Sequence, residues 1–220
     1  MWFLLVAFAF AALTMLAIWK DNRGLEFVAK PAVMVMLFIY LWTSTGLHGV
    51  TLWFGLGILL SLTGDVLLLW IDRFFLYGLV AFLLAHIAYL IGFNMPTSPI
   101  SLWGFLMAVL IGLGGGRVMR RILSAMMKNG QARMRVPVAV YSAVISLMLL
   151  SAMLKLTDPA WGTGASLLVA LGAFLFFLSD IVLAWNKFVT PIQNGRMLNI
   201  GLYHIGQICL VAGVVMQFTR

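Results

Sequence analysis

Eight apolar runs, each about the length needed to cross a bilayer core, dominate this chain and leave it one class of fold. A spanning helix needs about 20 predominantly apolar residues. The runs fall at about 1–19, 28–44, 49–70, 74–94, 99–119, 134–154, 161–186 and 197–218. Short polar punctuation divides them, as in "KDNRGLEFVAK", "IDRFF", "NMPTSP" and "NKFVTPIQNGR". Only 9% of the 220 residues are charged and 64% are hydrophobic. A soluble domain carries about 25% charged residues, so lipid must be the solvent along most of this chain. The expected architecture is all-α: one polytopic transmembrane bundle of eight spans over residues 1–220.

The basic residues carry the topology. Lys20, Arg23, Lys30, Arg73, Arg117, Arg120, Arg121, Lys128, Arg133, Arg135, Lys187 and Arg196 all fall near the odd-numbered connections. Lys155 and Arg220 alone fall on the other side. Such a bias places the basic side in the cytoplasm and both termini opposite. The net charge of +8 therefore reads as topology signal and anionic-lipid contact, with no nucleic-acid partner. A single cysteine, Cys209, excludes an intrachain disulfide and a thiolate metal cluster. The N-terminal run lacks a basic residue before it, which predicts a retained helix rather than a cleaved leader.

Against that background, two acids stand out. Asp65 in "LLSLTGDVLLLW" and Asp180 in "FLFFLSDIVLAW" lie inside spans, about 8–10 Å from the cytoplasmic face at 1.5 Å per residue. An ionisable side chain within a span costs about 2.5–3.5 kcal/mol to insert, which makes it a functional candidate. Asp21, Glu26, Asp72 and Asp158 read instead as solvated loop charges. His86 lies mid-helix with Tyr89 one turn on; Tyr203, His204 and Gln207 share a second helix. Each histidine reads equally well as a packing residue or as part of a reaction path. The order acid-then-histidine occurs once in each half of the chain, which suggests two parallel four-helix halves. Tyr141 sits near the cytoplasmic edge, either as an interfacial aromatic or as a ligand contact. Lys30, Asn186 and Lys187 flank one cytoplasmic entrance and suit a phosphate headgroup. The spacing lacks a metal-binding pair such as H-E-x-x-H, so no metal or other cofactor is expected.

The stretches "KPAVMVMLF" (30–38), "SLTGDVLLL" (61–69), "AFLLAHIAYLIGF" (81–93), "VYSAVISLM" (140–148), "FFLSDIVLAWNKF" (176–188) and "LYHIGQICLVAG" (202–213) together resemble the YhhN-like membrane proteins. Characterised members of that family are lysoplasmalogenases. The sequence departs from the family pattern at His204, where a small residue or tyrosine is more usual. The resemblance implies an enzyme that hydrolyses the vinyl ether of a lysophospholipid-like substrate held in the membrane. The products would be a fatty aldehyde and a glycerophospho-ethanolamine or -choline. It also implies a bacterial inner-membrane location.

Such a reaction needs a proton donor to carbon and a negative group near the oxocarbenium, and two carboxyl groups in a dry site supply both. Asp65 and Asp180 are the expected pair. His86, Tyr89, Tyr141, Ser179, Tyr203, His204 and Gln207 would line the site, and Lys30, Asn186 and Lys187 would hold the headgroup. The rival readings are a small proton-coupled transporter and a non-catalytic lipid-binding protein. Transport predicts discontinuous helices with prolines mid-span, whereas all six prolines of this chain read as span-end or loop residues. Oligomeric state is open.

Overall fold

A computed structural model of the chain describes residues 2–95 and 101–219, the side chain of Asp72 excepted. Pro96, Pro99 and the loop expected between the fourth and fifth spans lie outside the described residues. The described residues form an all-α bundle of eight helices, each long and apolar enough to cross a membrane. They are α1 (Trp2–Trp19), α2 (Arg23–Thr45), α3 (Val50–Leu68), α4 (Ile71–Phe93), α5 (Leu102–Lys128), α6 (Arg135–Leu154), α7 (Thr163–Phe188) and α8 (Gly195–Phe218). Short 3₁₀ turns at Ala132–Met134 and Lys155–Thr157 flank α6. Helices satisfy every backbone group within the segment, which hydrocarbon requires. Large apolar side chains such as Leu5, Phe105, Leu113 and Leu167 point outward, as suits a lipid-facing surface.

Local chemistry sets several helix ends. Asn22 caps α2, its side chain accepting from the Leu25 amide at 3.0 Å. Gly46, with φ of 69°, closes the same helix through its N–H to Trp42 O. Ser101 caps α5 by accepting from the Gly104 amide at 3.1 Å.

Three expectations are corrected. Pro31 lies within α2, not at a span end, because the capped first turn at Asn22 starts the helix well upstream. The ring removes the N–H that would bond the carbonyl of Phe27. The fifth helix continues through Lys128, carrying Arg117, Arg120 and Arg121 on helix rather than loop. Lys128, in the last turn, complements the helix dipole, and long arginine side chains reach toward the interface. Glu26 and Asp158 are also not solvated loop charges. Glu26 is 3% exposed and holds Arg196 at 2.6 Å, while Asp158 pairs with buried Lys155 at 3.0 Å. Asp21, by contrast, is exposed; the Asp72 side chain lies outside the described residues.

The core gathers around α8, which packs against α7, α1, α2 and α3. Glycines bring α7 and α8 into backbone contact. A Cβ on Gly172 would lie 2.6 Å from Gly206 O, and one on Gly206 would lie 2.9 Å from Gly172 O. Close approach through small residues is how helices associate where lipid competes with ordinary apolar contact. The α3–α4 and α7–α8 pairs are the most extensive contacts of their respective halves, and these pairs carry the two acids.

Candidate active site

Asp65 and Asp180 line one small chamber of about 20 Å³, together with Lys30, Ser179, Asn199 and Tyr203. The acids reach it from α3 and α7, and each is held by two other helices. The Lys30 ammonium on α2 lies 3.2 Å from Asp65 Oδ1, and Tyr203 on α8 donates to Asp65 Oδ2 at 2.7 Å. Asp65 is 1% exposed, so this is a buried ion pair. Removing one member of such a pair strands the other charge at a cost of about 3–5 kcal/mol.

Asp180 has a phenol and an imidazole as neighbours. Tyr141 on α6 donates to Asp180 Oδ2 at 2.5 Å. His86 Nε2 on α4 lies 2.9 Å from Tyr141 Oη and 3.3 Å from Asp180 Oδ2. With the Tyr141 proton directed at the carboxyl, Nε2 is the donor to Tyr141. The other ring nitrogen, Nδ1, is buried without a hydrogen-bond partner. Phe176 packs against the His86 ring at 4.6 Å between centroids and, like Phe82, against Tyr203. Phe82 and Tyr203 wall the chamber, with Phe176 and His86 packed behind them.

Two openings of contrasting character share wall residues with it. A vestibule is lined by Arg23, Glu26, Lys30, Arg73, Asn186 and Arg196 among others. It shares Lys30, Leu68, Leu183, Asn199 and Ile200 with the chamber. A narrow apolar groove runs between α4, α5, α6 and α7, and Asp180 and Leu183 line both groove and chamber.

Not every expected site residue reaches the chamber. Tyr89 donates to Gln207 at 2.9 Å, and Gln207 donates to Ser61 at 3.0 Å. That fully buried chain stands one layer behind Asp65, with the Tyr89 ring seated where any Cβ on Gly57 would collide with it. Ser179 does line the chamber, but its hydroxyl donates to Phe176 O at 2.7 Å, so its hydrogen is spent within its own helix. His204 is buried and neither ring nitrogen has a hydrogen-bond partner. Lys187 turns away from Lys30 and Asn186; its Nζ lies 4.7 Å above the Phe75 ring. The α7 helix extends through Phe188, which puts adjacent residues 186 and 187 on different faces. Sequence reasoning missed Asn199, which donates to Ser179 O at 2.7 Å and lines chamber and vestibule. Its signal was position: one turn before Tyr203 on the same helix face. Among the described residues, no group of three or more His, Cys, Asp or Glu side chains could hold a metal.

The profile of the YhhN family matches residues 25–214. The chain belongs to the YhhN family. Relatives at moderate identity carry a specific name. The lysoplasmalogenase TMEM86A of Bos taurus is 31% identical over 163 residues, covering 72% of this chain and 63% of its own length. The lysoplasmalogenase TMEM86B of Mus musculus is 30% identical over 180 residues, 81% of this chain and 70% of its own. That of Homo sapiens is 26% identical over 197 residues, 88% and 78% respectively. The matched stretch thus spans less than two thirds of the bovine protein. No solved structure matches the chain. This YhhN-family protein is an integral membrane protein of eight apolar helices.

Proposed function

We propose that this YhhN-family protein is a lysoplasmalogenase-type hydrolase, cleaving the vinyl ether of a single-chain phospholipid by general acid catalysis. One observation carries the reading. Two acids from separate helices line a small chamber that shares wall residues with an apolar groove and with a basic vestibule. That arrangement suits a molecule with an apolar chain, a reactive group and a phosphate, in that order. The names of the relatives point the same way.

The chemistry follows from the substrate. Asp180, which lines both groove and chamber, gives its proton to the vinyl carbon distal to the ether oxygen, and the C=C electron pair forms the new C–H bond. The positive charge spreads over the adjacent carbon and the ether oxygen. The Asp65 carboxylate, ion-paired with Lys30, stabilises that cation and orients water. Water adds to the cationic carbon and yields its proton to the Asp180 carboxylate. The resulting hemiacetal collapses to fatty aldehyde and glycerophospho-alcohol. Tyr141 and His86 hold the Asp180 carboxyl in place. Lys30 and Arg23 attract the phosphate in the vestibule, whose basic face is the cytoplasmic one by the positive-inside rule, in a bacterial inner membrane.

The decisive assay is coupled detection of aldehyde released from a lysoplasmalogen by the purified protein, with the corresponding ester lysolipid as comparison. Wild type should release aldehyde only from the vinyl ether, and Asp65→Asn and Asp180→Asn should not. Aldehyde release at the wild-type rate by either variant would remove the acid pair from the mechanism. A transporter reading draws support from Pro31 inside α2 and from the non-helical backbone of Phe74 inside α4. It predicts no aldehyde in detergent, where no gradient exists.

A further inference from the structure

A second basic opening lies on the same face as the vestibule, across α4 and α7, and nothing in the proposed reaction uses it. Arg73, Arg133 and Lys187 line it. No acidic side chain lines it among the described residues. Arg73 and Arg133 are exposed, and the Lys187 ammonium is held 4.7 Å above the Phe75 ring. Phe75 and Phe188, in edge-to-face contact at 5.7 Å, line both this mouth and the apolar groove beneath it. The groove in turn reaches Asp180. Its outer wall is α5, of which only Ile122 and Met126 are buried, so this side of the bundle is the one most open to lipid.

We propose that Arg73, Arg133 and Lys187 form a second phosphate site, at which a single-chain phospholipid docks from the bilayer with its chain in the α4–α7 groove. The inference rests on the hydrolase reading only for what happens next; the binding site stands on its own geometry. Three cations, with no carboxylate among the described lining side chains, form an anion site, and guanidinium forks match phosphate oxygens. The apolar groove below distinguishes a lipid from free phosphate, which would leave it unfilled. Arg73 also lines the vestibule, so a phosphate can pass from one opening to the other without losing its cation. Entry of the lipid and release of the polar product then use different openings.

The test uses a saturated 1-alkyl lysophospholipid, which lacks the vinyl ether and stays intact. Its equilibrium binding to the purified protein in a neutral detergent is compared for wild type, Arg133→Ala/Lys187→Ala and Arg133→Glu. Both variants should bind about tenfold more weakly, the loss expected for one or two charge-assisted contacts. Arg133→Lys, which keeps the charge, should recover most of the affinity. With a lysoplasmalogen, KM should rise while kcat holds, because the groups around Asp180 are untouched. Unchanged affinity in Arg133→Glu, an exposed position where misfolding is no escape, would overturn the site. Equal displacement by millimolar inorganic phosphate and by the alkyl lipid would overturn the lipid as its ligand. Absence of aldehyde from wild type, with the binding losses intact, would sink the hydrolase reading and leave the site standing.

Discussion

The two acid clusters of the bundle are each built from three helices, yet they are chemically unlike. Asp65 on α3 is held from α2 and α8; Asp180 on α7 is held from α6 and α4. If the halves correspond, α2 answers to α6 and α8 to α4. At the first position stands Lys30 in one cluster and Tyr141 in the other; at the second, Tyr203 and His86. One acid therefore faces a fixed cation, and the other faces groups that donate hydrogen bonds without carrying a permanent charge. The contrast sets one acid against an ammonium and the other against a phenol and an imidazole.

Breaking either acid should have the largest effect. Asp180→Asn removes the proton donor while keeping an acceptor for Tyr141, and kcat should fall by about 10²–10⁴-fold in the aldehyde assay. Asp65→Asn should fall as far if cation stabilisation is its role, and retained turnover would show that only one acid is chemical. Next comes the anchor. Lys30→Ala should destabilise the protein by about 3–5 kcal/mol, because Asp65 is left buried and unpaired. Lys30→Met combined with Asp65→Asn should restore much of that stability in thermal unfolding without restoring activity. Tyr141→Phe and Tyr203→Phe sharpen the contrast. Each deletes one hydrogen bond to a carboxyl, worth about 1.5–3 kcal/mol. If Asp180 is the donor, Tyr141→Phe should change kcat more than Tyr203→Phe does, and the reverse order would exchange the assigned roles. The smallest effect belongs to His204, whose ring nitrogens lack partners. His204→Leu removes a buried unsatisfied group and should raise stability by about 1 kcal/mol.

Much of the bundle was legible because lipid imposes local rules. Span number follows from apolar length, and the two acids announced themselves by the cost of putting charge in hydrocarbon. Tyr141 and Lys30 were legible as members of a site but not as partners of particular acids. Lys187 was assigned to the same entrance as Asn186 because the two are adjacent in sequence. Helix α7 continues through Phe188 and turns them apart. Glu26 read as a loop charge because its partner, Arg196, lies 170 residues away. Asn199 was passed over because an asparagine near a span end looks like a cap until the neighbouring helix is known.

From the sequence alone come eight helices, their rough extent, the side rich in lysine and arginine, and two acids that must be sheltered. Each depends on a segment's own contact with the bilayer, a property read along a single helix. Which side chain shelters each acid, and that the acids open onto one chamber sharing walls with a greasy groove and a basic vestibule, was decided only in three dimensions. The reason is rotational: the facing of each helix is set by side-chain and backbone packing, as where Gly172 and Gly206 let α7 and α8 touch. Those contacts join residues far apart along the chain, and hydropathy carries no record of them.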